Sequence, residues 1–143
     1  MITANEKELR SIADINKIGG ICIRDKKLLI VHKKGVGYLS LGGKIEPGET
    51  DLECLSREVK EEIGCRVKNP KYFDTFEGPN HDGTQTLKMK CYFCELEGEI
   101  KLNPNDKIDG YMWIDKNYQQ MGDQIAHMLR VAILPALIKK GLL

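Results

Sequence analysis

The chain is 143 residues and 16.2 kDa, with 41% hydrophobic and 30% charged residues, which fits one ordinary globular domain, residues 1–143, with a core of its own. Twenty-two Lys and Arg against 21 Asp and Glu leave a net charge of +1. That balance excludes a global polybasic grip on nucleic acid or anionic lipid, so any charge-based function is local. No apolar run approaches the ~20 residues of a membrane-spanning helix. Met1–Arg10 carries Glu6, Lys7 and Glu8 in place of a signal-peptide core, so the expected location is cytoplasmic. Five cysteines, an odd number without framework spacing, agree with a reducing compartment.

In chain order, residues 1–14 read as an N-terminal extension, with an amphipathic helix over 3–14 using Leu9, Ile12 and Ala13. Two strands, 18–23 and 27–33, follow as a hairpin joined at Arg24-Asp25-Lys26. Residues 36–48 contain Gly37, Gly42, Gly43, Pro47 and Gly48, which predicts a loop. Thr50 then caps a helix with Glu53 as its capping-box partner, and Gly64 ends it. Leu52, Leu55, Val59 and Ile63 form its docking face.

Strands are expected over 68–76 and 84–96, separated by the turn formers of 77–83. Alternation across 87–94 puts Cys91 and Cys94 on opposite strand faces, one in the core and one an exposed thiol, and not in a metal or redox pair. A polar loop over 103–109 leads to a short strand at 111–114. From Gly122 onward, Ile125, Met128, Leu129, Ala132, Ile133, Ala136 and Leu137 keep helical spacing, with Pro135 kinking the helix. Mixed strands, a helix, more strands and a closing helix give an α/β or α+β domain.

The chemistry concentrates in 42–65. Glu58, Glu61 and Glu62, spaced three and four apart, crowd one side of the capped helix. Such repulsion beside a buried face calls for a shared cation, and oxygen-only donors suit Mg²⁺ or Mn²⁺. Arg57 can orient a carboxylate such as Glu49 or Glu58, and Gly42 and Gly43 let the backbone come close. Residues 17–44 hold seven Lys and Arg against Asp25 alone, whereas 46–62 hold seven Asp and Glu against Arg57 and Lys60. A basic wall facing an acidic, metal-binding helix suits a diphosphate.

At Gly43, Glu49, Arg57, Glu58, Val59, Glu61, Glu62, Gly64 and Cys65 the chain resembles the Nudix (MutT-like) hydrolases, whose box has a glycine, five residues, a glutamate, seven residues, then Arg-Glu-aliphatic-any-Glu-Glu-any-Gly-aliphatic. Cys65 replaces the final aliphatic residue, and Leu41 replaces the proline usual before the two glycines. The resemblance implies a mixed β-sheet sandwiched between α-helices. It implies hydrolysis of a diphosphate linkage in a nucleoside diphosphate derivative, foremost a nucleoside triphosphate, oxidised or not, yielding the monophosphate and pyrophosphate. Dinucleoside polyphosphates and ADP-ribose are alternative substrates. A nucleotide-sensing module without catalysis is the alternative from another class.

Carried over by position, Glu58 and Glu62 are the principal metal ligands, Glu61 a further ligand or the general base, and the Gly42 carbonyl completes the shell. Arg57 and Glu49 pair to orient them. Later loops also offer a base, from Glu77, Asp82, Asp106 or Asp109. Candidate substrate contacts are Arg24, Lys33, Lys44, Tyr38 and His81; Tyr38, Phe73, Phe76 and Trp113 could stack a base yet equally read as core. The expected partner is a small nucleotide, with no polymeric nucleic acid and no membrane.

Overall fold

The computed structural model describes residues 13–80 and 82–143. The helix expected over 3–14 and the candidate contact His81 therefore fall wholly or almost wholly outside the described residues. The described residues form seven strands: β1 (Ile15–Ile21), β2 (Ile23–Arg24), β3 (Lys27–Lys33), β4 (Gly37–Lys44), β5 (Arg66–Pro79), β6 (Thr86–Glu97) and β7 (Ile108–Ile114). They join in one mixed sheet of order β2-β3-β4-β1-β6-β5, with β7 paired to β3. The β1–β6 pairing is parallel and the other strand pairings are antiparallel.

Helix α1 (Asp51–Ile63) covers one face of this sheet and the C-terminal helical segment covers the other, the α+β sandwich that the sequence implied. Covering both faces removes the alternation that a half-exposed sheet would show. Leu28 and Ile30 enter the core beneath the C-terminal segment, Leu29 and Val31 the core beneath α1, and all four are fully buried. Cys91 and Cys94 do lie on opposite faces, but neither thiol is exposed, because each face has its own helical layer.

The predicted loop over 36–48 is instead largely strand β4. Glycine is poor in strands unless another group must approach the backbone closely, and that is its role here. Gly42 pairs with Gly19 of β1 at φ 116°, where a Cβ would stand 1.9 Å from the Ile18 carbonyl oxygen. Turn chemistry begins only after Lys44, at Pro47-Gly48.

Helix α1 begins with the predicted capping box and ends at Gly64, whose φ of 71° is left-handed. Its buried stripe differs from the expected one, since Leu52 is 43% exposed. The stripe runs in steps of four through Asp51, Leu55, Val59 and Ile63, so the helix turns its first-turn acid inward. Asp51 is satisfied there by Lys90 Nζ and by the Tyr92 hydroxyl, which donates at 2.7 Å.

Strand β5 is longer than expected, β6 lies close to its expected bounds, and β5 carries two bulges around Asn69-Pro70 and Phe73, as an edge strand containing proline can. The helix expected from 122 is broken differently. A 3₁₀ segment covers Tyr118–Gln124, Ile125 bridges to Tyr38, and a π-turn at Leu129–Ile133 passes into α2 (Leu134–Lys139). Pro135 lacks the N–H that an uninterrupted α-helix would use, and the wider turn just before it takes up the register, with Leu134 N–H donating to the Leu129 carbonyl.

All five cysteines are buried and unpaired, and burial pushes the thiols of Cys54, Cys91 and Cys94 up to about 12. A thiol without thiolate character is inert. Titration with a disulfide reagent at pH 8 is expected to label none of the five quickly in the native protein and all five after denaturation. Rapid native labelling would contradict the packing.

Candidate functional site

Arg57 projects from the middle of α1 into a knot of acids, with all five of its N–H donors engaged. Nε donates to Glu49 Oε2 at 2.7 Å and Nη2 to Glu49 Oε1 at 3.0 Å, the planar two-point match of guanidinium and carboxylate. Nη2 also reaches the Lys44 carbonyl at 3.1 Å. Nη1 serves Glu58 at 2.9 Å and Glu61 at 3.3 Å. The guanidinium thus ties the β4 end, the turn bearing Glu49 and the acid face of α1 into one unit. It holds the Glu49 carboxyl below the usual range, chiefly by hydrogen bonding, and its own pKa rises in return.

Glu62 lies deeper, 7% exposed, where the Gly42 N–H donates to its Oε1 at 2.9 Å. Burial, with Glu58 and Asp106 adding like charge, raises its pKa to about 8 against the pull of that hydrogen bond. Glu58 is raised as well, burial outweighing Arg57. Gly43 leaves room for it: a Cβ there would sit 2.5 Å from the Glu58 carboxyl carbon. Glu61 is the outermost of the three, with its side chain 51% exposed.

Among the described residues, no three His, Cys, Asp or Glu side chains already form a metal cage. Glu58 and Glu61 are bonded to Arg57 and Glu62 to Gly42. The donor chemistry nevertheless fits a hard divalent cation: a buried carboxylate held by a backbone N–H, a second half-buried carboxylate beside it, and oxygen atoms alone. Positive charge near Glu62 would favour its ionised form.

Beside this cluster a cavity of about 310 Å³ opens against Gly42 and Gly43. Lys33 and Lys44, two of the candidate substrate contacts, line it, and so does Lys17, which entered the sequence reading only through the charge count. Lys17 faces Lys44 directly across the β1–β4 ladder, a like-charge pairing that costs stability unless an anion sits between. Burial and its two lysine neighbours lower the Lys17 pKa, and Glu58 and Glu62 act in the opposite direction. Lysine at a strand position opposite another lysine is the available sequence signal, but reading it requires the register.

The other candidates are dispersed. Arg24 stacks over the Trp113 ring at 5.5 Å, and Tyr38 packs edge-on against His32; neither lines the cavity. Phe73 and Phe76 pack into the core, and the apolar cavity walls are Ile15, Leu39, Leu87, Met89 and Met128. Of the later acids, Glu77 is paired with Lys88 and Asp109 with His32, whereas Asp82 lines the cavity and Asp106 is near enough to act on Glu62.

The NUDIX domain model matches residues 16–124. NudC of Photobacterium profundum, an NAD-capped RNA hydrolase, is 34% identical over 113 residues, 77% of this chain and 34% of that protein. YtkD of Bacillus subtilis, whose name proposes 8-oxo-dGTP diphosphatase activity, is 36% identical over 77 residues, 54% of this chain and 48% of that protein. The chain thus spans a third to a half of the length of these relatives. The crystal structure of a point mutant of the Bacillus subtilis pyrophosphohydrolase BsRppH is similar at a TM-score of 0.70 and 27% identity, over 88% of this chain and 80% of that one.

A folded-state pKa near 8 at Glu62, against about 4.5 unfolded, has a definite sign. Between those values the folded state keeps a proton that the unfolded state has lost, so stability falls as pH rises. Glu62→Gln keeps an acceptor for Gly42 N–H and removes that loss. In chelator, the variant should match the wild type near pH 4.5 and become progressively more stable than it toward pH 8, by denaturant unfolding. Parallel pH profiles would show that Glu62 is not buried as described.

Proposed function

Because the chain belongs to the NUDIX domain family, we propose that it is a pyrophosphohydrolase cleaving a diphosphate linkage in a nucleoside diphosphate derivative. The leading substrate is a nucleoside triphosphate, unmodified or oxidised, split into the monophosphate and pyrophosphate. The observation that carries this reading is the join between acid and base: Gly42 and Gly43 contact Glu62 and Glu58 on one side and line the three-lysine cavity on the other.

Glu58, Glu61 and Glu62, with the Gly42 carbonyl, would hold Mg²⁺, or Mn²⁺ in its place. When bound, the ion offsets phosphate charge and acidifies water. The rest falls to the chain. Glu49 and the Lys44 carbonyl lock the Arg57 guanidinium, which fixes Glu58 and Glu61 before substrate arrives, so ordering cost is met in folding. Lys17, Lys33 and Lys44 meet the phosphate oxygens. Glu61, the most exposed of the trio, would accept a proton from the attacking water, with Asp82 and Asp106 as the alternatives.

YtkD and BsRppH, by their names, support a phosphate-chain substrate. Similarity to NudC favours a second reading, a dinucleotide diphosphate, free or capping an RNA, which widens the expectation of small nucleotides alone.

The test is a cleavage panel with Mg²⁺ or Mn²⁺ covering unmodified and oxidised nucleoside triphosphates, dinucleoside polyphosphates, NADH and ADP-ribose. One class should turn over, with Glu62→Gln lowering kcat by at least about 100-fold and Glu49→Gln, acting through Arg57, by roughly 10–100-fold. Unchanged turnover in Glu62→Gln would overturn the assignment. Tight binding without cleavage would instead mark a sensing module.

A further inference from the structure

The cavity does not end at its apolar wall. A second recess of about 520 Å³ continues from it, sharing Val36, Pro79, Asn80, Ala126 and His127. Neither Gly42 nor Lys17, Lys33 or Lys44 lines this recess, so it lies beyond whatever fills the cavity.

Arg130 lines this recess from the π-turn at Leu129–Ile133. Wide turns of this kind are enriched at functional sites because they re-aim side chains. The other described arginines are engaged: Arg57 by four acids and a carbonyl, Arg66 by Glu97, Arg24 by the Trp113 ring. The Arg130 side chain has no hydrogen bond or ion pair with described residues, and its Nε is buried without an acceptor. Asp123, exposed on the same recess, makes no ion pair with it. That buried Nε is costly to leave without an acceptor, and a phosphate in the recess, meeting the outer nitrogens, is the natural complement of the guanidinium.

We propose that this recess is a second anion subsite, in which Arg130 takes a phosphate on the 3′ side of the substrate's ribose. The inference rests on the reading above in one respect, that the 5′-phosphates lie at the Gly42 end. With a nucleoside in the cavity between, the group that reaches Arg130 is the next one along the sugar: a terminal 3′-phosphate, or the diester joining a second nucleotide. The chain then favours an extended nucleotide over a mononucleotide with a bare 3′-hydroxyl.

Calorimetric binding tests this without needing turnover. The probes are nucleoside 5′-monophosphate, nucleoside 3′,5′-bisphosphate and the 5′-phosphorylated dinucleotide, in adenine and guanine series. The added phosphate should tighten binding about tenfold or more, about 1.4 kcal/mol. Arg130→Gln should abolish that gain while leaving monophosphate affinity unchanged, and Arg130→Lys should restore part of it. A gain in bisphosphate alone identifies a terminal phosphate; a gain in both identifies a polynucleotide end. No gain, or a gain that survives in folded Arg130→Gln, overturns the subsite. Unaltered nucleoside triphosphate cleavage by Arg130→Gln would keep the proposed activity standing even then.

Discussion

Gly42 cannot bear a side chain and Gly43 can bear one only by displacing the Glu58 carboxylate, and the site is arranged around that constraint. A Cβ on the first would strike the Ile18 carbonyl, and one on the second would strike the Glu58 carboxylate. Their bareness allows β4 to lie against β1 and, at the same two residues, to approach the acid face of α1. The Gly42 N–H is thereby delivered to Glu62 inside the protein, where water cannot compete for it. Without that contact a buried carboxylate at this position would have little to hold its charge.

Arg57 supplies the complementary rigidity. A surface ion pair adds little to stability, but a guanidinium with every donor engaged by three elements acts as a brace. It spreads one positive charge over Glu49, Glu58 and Glu61, which partly relieves their mutual repulsion without neutralising the set. Glu62, the acid that Arg57 does not reach, is held protonated by burial up to about pH 8 until positive charge comes near. The lysines across the glycines are under the opposite strain, with Lys17 and Lys44 paired side by side. Two repulsive clusters sharing a two-glycine wall constitute a site that a metal ion and a phosphate chain together would relax.

The acidic box is legible because its spacing is set by the helix itself: four residues bring the chain back to the same side, so Glu58 stands beside Glu62 whatever the rest of the fold does. The cap at Thr50 and the stop at Gly64 are local in the same sense. Features that depend on neighbours are not legible. Gly37 to Lys44 reads as a loop because glycine serves turns and close approaches alike, and only β1 and α1 decide between them. Leu52 gives way to Asp51 on the buried stripe because Lys90 and Tyr92, some forty residues away, satisfy the acid. Lys17 is hidden and Arg24 prominent in the sequence because strand register decides which basic residues face the cavity. The π-turn, and with it the placement of Arg130, leaves only Pro135 as a sequence trace.

The central claim is that Glu58 and Glu62, drawn together at the Gly42–Gly43 wall, hold a divalent cation. Anomalous diffraction from crystals equilibrated with Mn²⁺ tests it most directly. The account predicts a peak within about 2.0–2.6 Å of carboxylate oxygens of both residues, lost in Glu62→Gln crystals treated identically. A peak only elsewhere, or one at the wall that persists without the Glu62 carboxylate, would contradict it.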